Sequence, residues 1–276
     1  MLNEWIGRQE RAEDEVALSA VRRLAALLDL PAELQRGDPL PRAWYVMLFG
    51  PTTRQSGLGP DGHPAKGQFL PPVPLPRRMF AGRRVSFHER LLVGEDVRRV
   101  STIQGITPKQ GRSGEMCFVT VRHEISGGRG LAVVEEQDIV YRGETQGAGV
   151  SAGKNSQGKE EKPVWSRPWT PDSVALFRFS AITYNGHRIH YDLPYTQETE
   201  GYPGLIVNGG LTTLMLWQLA TSSTGMELKV SSSRNLKPLF VDRPVTLCGR
   251  MENERVFLWA VDDQGARALE AEVELA

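Results

Sequence analysis

Residues 183–192 read Thr183-Tyr184-Asn185-Gly186-His187-Arg188-Ile189-His190-Tyr191-Asp192 and hold two of the chain's five histidines. His187 and His190 stand close together, with Asn185 ahead and Asp192 behind. Phe179-Ser180-Ala181 leads in. Further on, residues 200–210 (E-G-Y-P-G-L-I-V-N-G-G) turn into an apolar segment opened by Gly209 and Gly210. A base-bearing loop followed by a glycine-opened helix offers a proton acceptor and unpaired backbone amides. That is the equipment for work on an acyl carbonyl.

Outward from this stretch, residues 211–220 (L-T-T-L-M-L-W-Q-L-A) are apolar on all sides of a helix, the pattern of a fully buried one. Strands are expected over 228–233, 244–251, 256–261 and 268–275, the last two joined by a turn at 262–265. The second half is therefore one central helix wrapped by an antiparallel meander. The first half reads as a looser copy. Apolar residues at Val16, Ala17, Ala20, Val21, Leu24, Leu27 and Leu28 predict a helix over 16–30, ended by Pro31. The run 44–49 is compatible with strand or helix. Residues 56–76 are dense in Gly and Pro, contain Asp61-Gly62-His63-Pro64, and predict a long irregular loop of the kind that often carries function. Strands follow within 79–141, notably 116–123 and 131–141 about a turn at 126–130. Residues 143–162 are polar and Gly-rich, as in a flexible linker. The expected division is a first half over 1–142, a linker over 143–165 and a second half over 166–276.

Composition narrows the function classes. A net charge of zero, 40% hydrophobic and 24% charged residues describe a soluble globular chain with no basic face for nucleic acid. Cys117 and Cys248 are too few for a disulfide framework or a zinc site. No apolar run reaches the roughly 20 residues of a membrane span, and the acidic N-terminal stretch is no secretory signal, so a cytoplasmic location is expected. No nucleotide-phosphate loop, dinucleotide fingerprint or metal-ligand cluster is visible, so neither metal nor redox cofactor is expected.

The 183–192 stretch resembles the MaoC-like, hydratase-type-2 family, whose signature runs roughly S-G-D-x-N-P-L-H-x-D. It is closer to a subgroup reading A-x-T-x-N-x-H-R-I-H-Y-D with a following E-G-Y-P. That subgroup includes mitochondrial-type 3-hydroxyacyl-thioester dehydratases and the mesaconyl- and itaconyl-CoA hydratases. Its first half carries D-G-H-P and R-R-M-x-A-G, found here at 61–64 and 77–82. The resemblance implies an α+β double hot-dog: two halves, each with a long helix packed on an antiparallel sheet. It implies a hydro-lyase acting on an acyl-CoA thioester, with coenzyme A as part of the substrate and no separate cofactor. A homodimer is the family's common state. The substrate expected is itaconyl-CoA or mesaconyl-C4-CoA, giving citramalyl-CoA in itaconate-type degradation. The alternatives are a 3-hydroxyacyl-thioester dehydratase of fatty-acid metabolism, working on carrier-protein or CoA substrates, and a non-catalytic acyl-CoA binder.

Site residues follow from the same match. His190 fills the family's histidine place and is the expected base. Asn185 stands where the family has Asp; an amide has no proton to exchange at neutral pH and can only orient water. His187 and Tyr184 are the nearest groups for a second acid–base role. On an extended stretch, His187 would face away from His190 or line the turn, in a structural or a catalytic part. Gly209 and Gly210 are the expected oxyanion hole, or else plain close packing. Arg77, Arg78, Arg83 and Arg84 could meet the phosphates of coenzyme A or form a solvated basic turn. Arg188, Arg234 and Lys237 could meet a substrate carboxylate or form structural ion pairs. Asp192, just before Leu193-Pro194, reads as a helix N-cap.

Overall fold

The computed structural model describes residues 2–111, 114–143 and 162–276. Of the expected linker 143–165, residues 144–161 lie outside the described residues. Ten strands among the described residues make one antiparallel sheet. They are β1 (Gln9–Glu15), β2 (Arg77–Phe87), β3 (Asp96–Gly111), β4 (Gly114–Gly127), β5 (Gly130–Arg142), β6 (Trp165–Trp169), β7 (Leu228–Asn235), β8 (Val245–Glu252), β9 (Arg255–Val261) and β10 (Arg267–Leu275). Their spatial order is β1-β3-β4-β5-β2-β7-β10-β9-β8-β6. The first five in that order precede residue 143 in sequence and the last five follow 162. The two sets meet where β2 pairs with β7, Gly82 opposite Arg234. A Cβ at Gly82 would lie 2.3 Å from the Ser233 carbonyl oxygen. The glycine that closes the R-R-M-x-A-G motif is thus demanded by the seam.

The α-helices among the described residues are α1 (Leu18–Leu27), α2 (Ser173–Thr183), α3 (Leu193–Glu198) and α4 (Gly209–Thr224), and α4 is the one laid along the sheet. The predicted buried helix is α4, with Leu211, Leu214, Leu216, Trp217, Leu219 and Ala220 all in the core. Each large side chain so buried contributes about 1.5–3 kcal/mol. Trp217 also donates to the Ser231 hydroxyl on β7 at 2.8 Å, which satisfies its indole N–H and fixes the helix against the sheet.

The first half covers its sheet differently. Helix α1 stops at Leu27, short of the predicted end, and the ambiguous run 44–49 begins as a 3₁₀ turn, Arg42–Met47. These cover one end of the sheet. At the other end the cover is the loop 56–76, whose Phe69, Leu70, Val73 and Leu75 pack on Ile103, Val119, Val121 and Tyr141. Lys66 donates to the Val73 and Leu75 carbonyls and holds that loop in its turn. A loop is thereby fixed by its own apolar residues, and its tip, residues 60–64, is carried to the second half.

Three of the strands and α-helices were not expected from the pattern: β1, β6 and α2. β1 is charged at nearly every position and has no alternation to read; it forms by pairing with β3, with Glu13–Arg98 and Glu10–Arg99 as cross-strand partners. α2 opens on Asp172, which accepts from the Ala175 amide at 2.7 Å. Cys117 and Cys248 are buried free thiols. No helix among the described residues is long and apolar enough to cross a membrane.

Candidate active site

Helix α2 ends at Tyr184, which takes the left-handed conformation at φ 50° and is 69% exposed. The chain then passes through Asn185 and Gly186 to a 3₁₀ turn, Arg188–His190, and on to α3. Asp192 caps α3 as expected, accepting from the Tyr195 amide at 3.0 Å.

His190 is buried, at 7% exposure. Its Nδ1 lies 2.7 Å from the Ile206 carbonyl oxygen. A carbonyl only accepts, so Nδ1 carries the proton and Nε2 keeps the lone pair. Burial pushes its pKa down to about 4, with the Ile206 hydrogen bond opposing. At neutral pH His190 is therefore an uncharged imidazole with a free basic nitrogen.

His187 does not face away from His190. The segment is a 3₁₀ turn rather than extended chain, and residues three apart eclipse in such a turn. The two rings meet edge to face, centroids 5.5 Å apart. Burial, and then the neighbouring His190, push His187 down to about 3.

Asn185 uses its amide on the protein. Its Oδ1 accepts from the His187 backbone amide at 3.0 Å, and its Nδ2 donates to Asn208 Oδ1 at 3.1 Å. Asn208 immediately precedes α4 and offers that helix no side-chain cap. The first amides of α4, at Gly209 and Gly210, therefore stay available, with the helix's positive end behind them. The two glycines differ. A Cβ at Gly209 would meet Asn235 Oδ1 at 2.7 Å, so close packing accounts for it. At Gly210 the nearest atoms, on Phe179 and Arg83, would be at 3.5 and 3.6 Å. No packing demand explains that glycine, and its absent side chain leaves room beside the helix start.

The first half supplies two further groups that the linear pattern did not assign to the site. Asp61 Oδ2 holds His63 Nδ1 at 3.0 Å, and the His63 ring lies 4.1 Å from the His187 ring. The crossing is tight. The Arg188 amide donates to the Asp61 carbonyl at 3.0 Å, and a Cβ at Gly62 would lie 1.9 Å from the Gly186 carbonyl oxygen. Asp61, His63 and His187 have ligand atoms within 4.8 Å of one another, a spacing that suits a metal ion. Arg78, 3.7 Å from Asp61 Oδ2, shares that carboxylate with the His63 ring, which leaves less of its charge for a divalent ion. The Asp-x-His spacing and the loop were visible in sequence; the crossing that joins them to His187 is a tertiary contact.

The arginines separate. Arg78 is buried against Asp61 and Pro64. Arg77 is 3.9 Å from Glu200. Arg188 binds Asp192 through Nε and Nη2, at 2.9 and 2.7 Å, reaches the Pro60 carbonyl, and stacks on Tyr195. It ties the two loops together. Arg83 points inward to Glu135 at 3.1 Å and to the Tyr45 hydroxyl. Arg84, one residue on, lies on the opposite face of the strand, held by Glu136 and Asp138. It is not brought to the histidines, and neither is Tyr184, which points to solvent as a helix cap. Arg234 pairs with Glu270 and Lys237 with Asp262, the structural alternative for both.

A profile of the family described as hydroxyacyl-thioester dehydratase type 2 matches residues 43–241. The chain is 45% identical, over 272 residues, to the mesaconyl-C(4)-CoA hydratase of Chloroflexus aurantiacus, covering 98% of this chain and 96% of that protein. A MaoC-like dehydratase structure from Phytophthora capsici matches with TM-score 0.71 at 13% identity, over 100% of this chain and 97% of that one. A Mycobacterium tuberculosis protein described as having a double hotdog fold matches with TM-score 0.57 at 14% identity, over 98% and 96%. The chain belongs to the hydroxyacyl-thioester dehydratase type 2 family, and it is a hydro-lyase on a double hot-dog fold.

Proposed function

We propose that the chain hydrates the α,β-unsaturated thioester mesaconyl-C4-CoA to citramalyl-CoA, and takes itaconyl-CoA, whose double bond is β,γ to the thioester, by first moving a proton from the α- to the γ-carbon to bring that bond into conjugation. The observation that carries the reading is the buried, neutral His190, whose free Nε2 belongs to the same loop system as the open start of α4. His190 takes a proton from water as the oxygen attacks the β-carbon. The amides at Gly209 and Gly210 receive the charge that develops on the thioester oxygen. One such donor is worth about 3 kcal/mol of barrier where it has been removed elsewhere. Asn185 links the two, since it bonds both the His187 amide and the residue before α4.

The dicarboxylic choice is supported by the 45% identity to the Chloroflexus hydratase. It is also supported by Arg83, whose Nη2 stands beside Gly210 at the start of α4, 3.6 Å from where a Cβ would be, while its Nη1 is held by Glu135. A buried guanidinium there suits a carboxylate on the β-carbon better than an alkyl tail. Offering crotonyl-, itaconyl- and mesaconyl-C4-CoA and comparing kcat/KM tests the reading. Preference for the two dicarboxylic thioesters by at least tenfold is expected. Preference for crotonyl-CoA would contradict the substrate, and no turnover of any would contradict the activity.

A further inference from the structure

Hydration needs an acid at the α-carbon as well as a base at the water. In the broader MaoC-like signature that the loop resembles, an Asp carboxylate accompanies the histidine; here position 185 is an amide with no proton to give. We propose that the Asp61–His63 pair, delivered from the first half of the chain, is the second acid–base unit of the site. The inference rests on the hydratase reading above.

Three observations carry it. First, Asp61 divides its carboxylate. Oδ1 accepts from the His63 backbone amide at 3.1 Å and sets the turn, while Oδ2 is aimed at the ring nitrogen Nδ1 at 3.0 Å. A turn alone needs only Oδ1. A carboxylate on Nδ1 fixes the tautomer and stabilises the imidazolium, leaving Nε2–H as the free end. Second, the ring is packed into the site: His63 lies 4.1 Å from His187, which lies 5.5 Å from His190. Third, the side chains of Asp61 and His63 are each 27% exposed, whereas His190 is 7% exposed. His63 can regain a proton from solvent; His190 can pass one on only through its neighbours. The loop crossing at Gly62 and Gly186 holds this arrangement with no space for a side chain.

The step balances. Water gives a proton to His190 Nε2 as its oxygen bonds the β-carbon. The carbon–carbon π pair moves toward the thioester, whose oxygen is held at the start of α4. His63 Nε2 gives its proton to the α-carbon, and the enolate collapses to the saturated thioester. His190 is left with one proton more and His63 with one fewer; return through His187 and solvent restores both.

The test uses the full chain and whichever of the three thioesters above the wild type hydrates fastest. Turnover, KM and exchange of the product's α-hydrogen with deuterium oxide are read by mass. H63Q and D61N, checked for folding by circular dichroism and thermal melting, should lose roughly 10²–10⁴-fold and about tenfold or more in kcat, with KM within a few-fold. α-Hydrogen exchange should fall in parallel, and added imidazole should restore part of the activity of H63A. A merely structural histidine would not be rescued. H63Q with near wild-type kcat and exchange would overturn the dyad while leaving the hydratase standing. A wild type inert on all three thioesters would overturn both. Loss of wild-type activity on dialysis against a chelator, restored by zinc, would overturn the dyad in favour of a metal ion on the same groups.

Discussion

Asn185 stands where the broader MaoC-like signature has Asp, and its hydrogen bonds say what an amide does there. It accepts at Oδ1 from His187 and donates at Nδ2 toward Asn208, so one side chain holds the histidine loop against the start of α4. A carboxylate could accept from His187 but could not donate to Asn208. Asn185→Ala should therefore cost about 1–3 kcal/mol of stability, because two buried partners lose their bonds. It should also lower kcat, as urea unfolding and steady-state kinetics would measure. An unchanged kcat would mean the link does not position the site. At this scale much was legible. His190, Asn185 and Asp192 occupy the places their motif implied, because a contiguous loop keeps its members together. His187 was misjudged in part because extended geometry was allowed for where a 3₁₀ turn forms. Arg83 and Arg84 were read together, and a strand's alternation sends them to opposite faces. His63 was legible as a residue in a functional loop but not as a neighbour of His187, since nothing local reports a contact across the chain.

At the scale of elements, the loop 56–76 takes the covering task at one end of the first sheet half. It could be read as irregular from its glycines and prolines, but not as a lid with its own apolar anchor. Its precision depends on Gly62, which has φ 85° and faces the Gly186 carbonyl at a distance that excludes a Cβ. Gly62→Ala should part the two loops, lowering stability by about 1–3 kcal/mol and kcat further than stability alone explains. Gly67→Ala is the control: it has the same φ of 85°, but the nearest atom to its Cβ is 3.8 Å away. It should show the backbone strain with far less loss of turnover. Equal effects on kcat would deny that the crossing sets the site. The strands with alternating or apolar patterns, β4, β5 and β7–β10, were expected close to where they occur. β1 was not, because its stability comes from pairing with β3 rather than from burial of its own side chains.

At the scale of the whole molecule, three histidines are held uncharged by full or partial burial, one in the first sheet half and two in the 183–192 loop. Burial holds His123 and His190 near pKa 4 and His187 near 3. All three lie below the unfolded value of about 6.5, so the unfolded chain takes up protons first as pH falls. Their stabilising effect is complete above about pH 6.5 and is lost progressively as pH drops toward 4, and toward 3 for His187. The unfolding free energy should thus fall by up to ~1.4 kcal/mol per pH unit for each histidine across that window. His123→Gln, remote from the proposed chemistry, should flatten the slope by about one histidine's share; an equally steep variant would show that His123 is not held neutral by the fold. Two similar halves were expected from the looser-copy pattern and from the resemblance; their joining edge to edge through β2 and β7 was not, because no local pattern reports it. If His190 is the base that activates water, its loss must stop the entry of water's oxygen into the enoyl-CoA. The direct measurement is incorporation of isotope-labelled water into mesaconyl-C4-CoA by wild type and by folded His190→Ala. Wild type should give labelled citramalyl-CoA and His190→Ala essentially none; label incorporated at comparable rates by both would contradict the account.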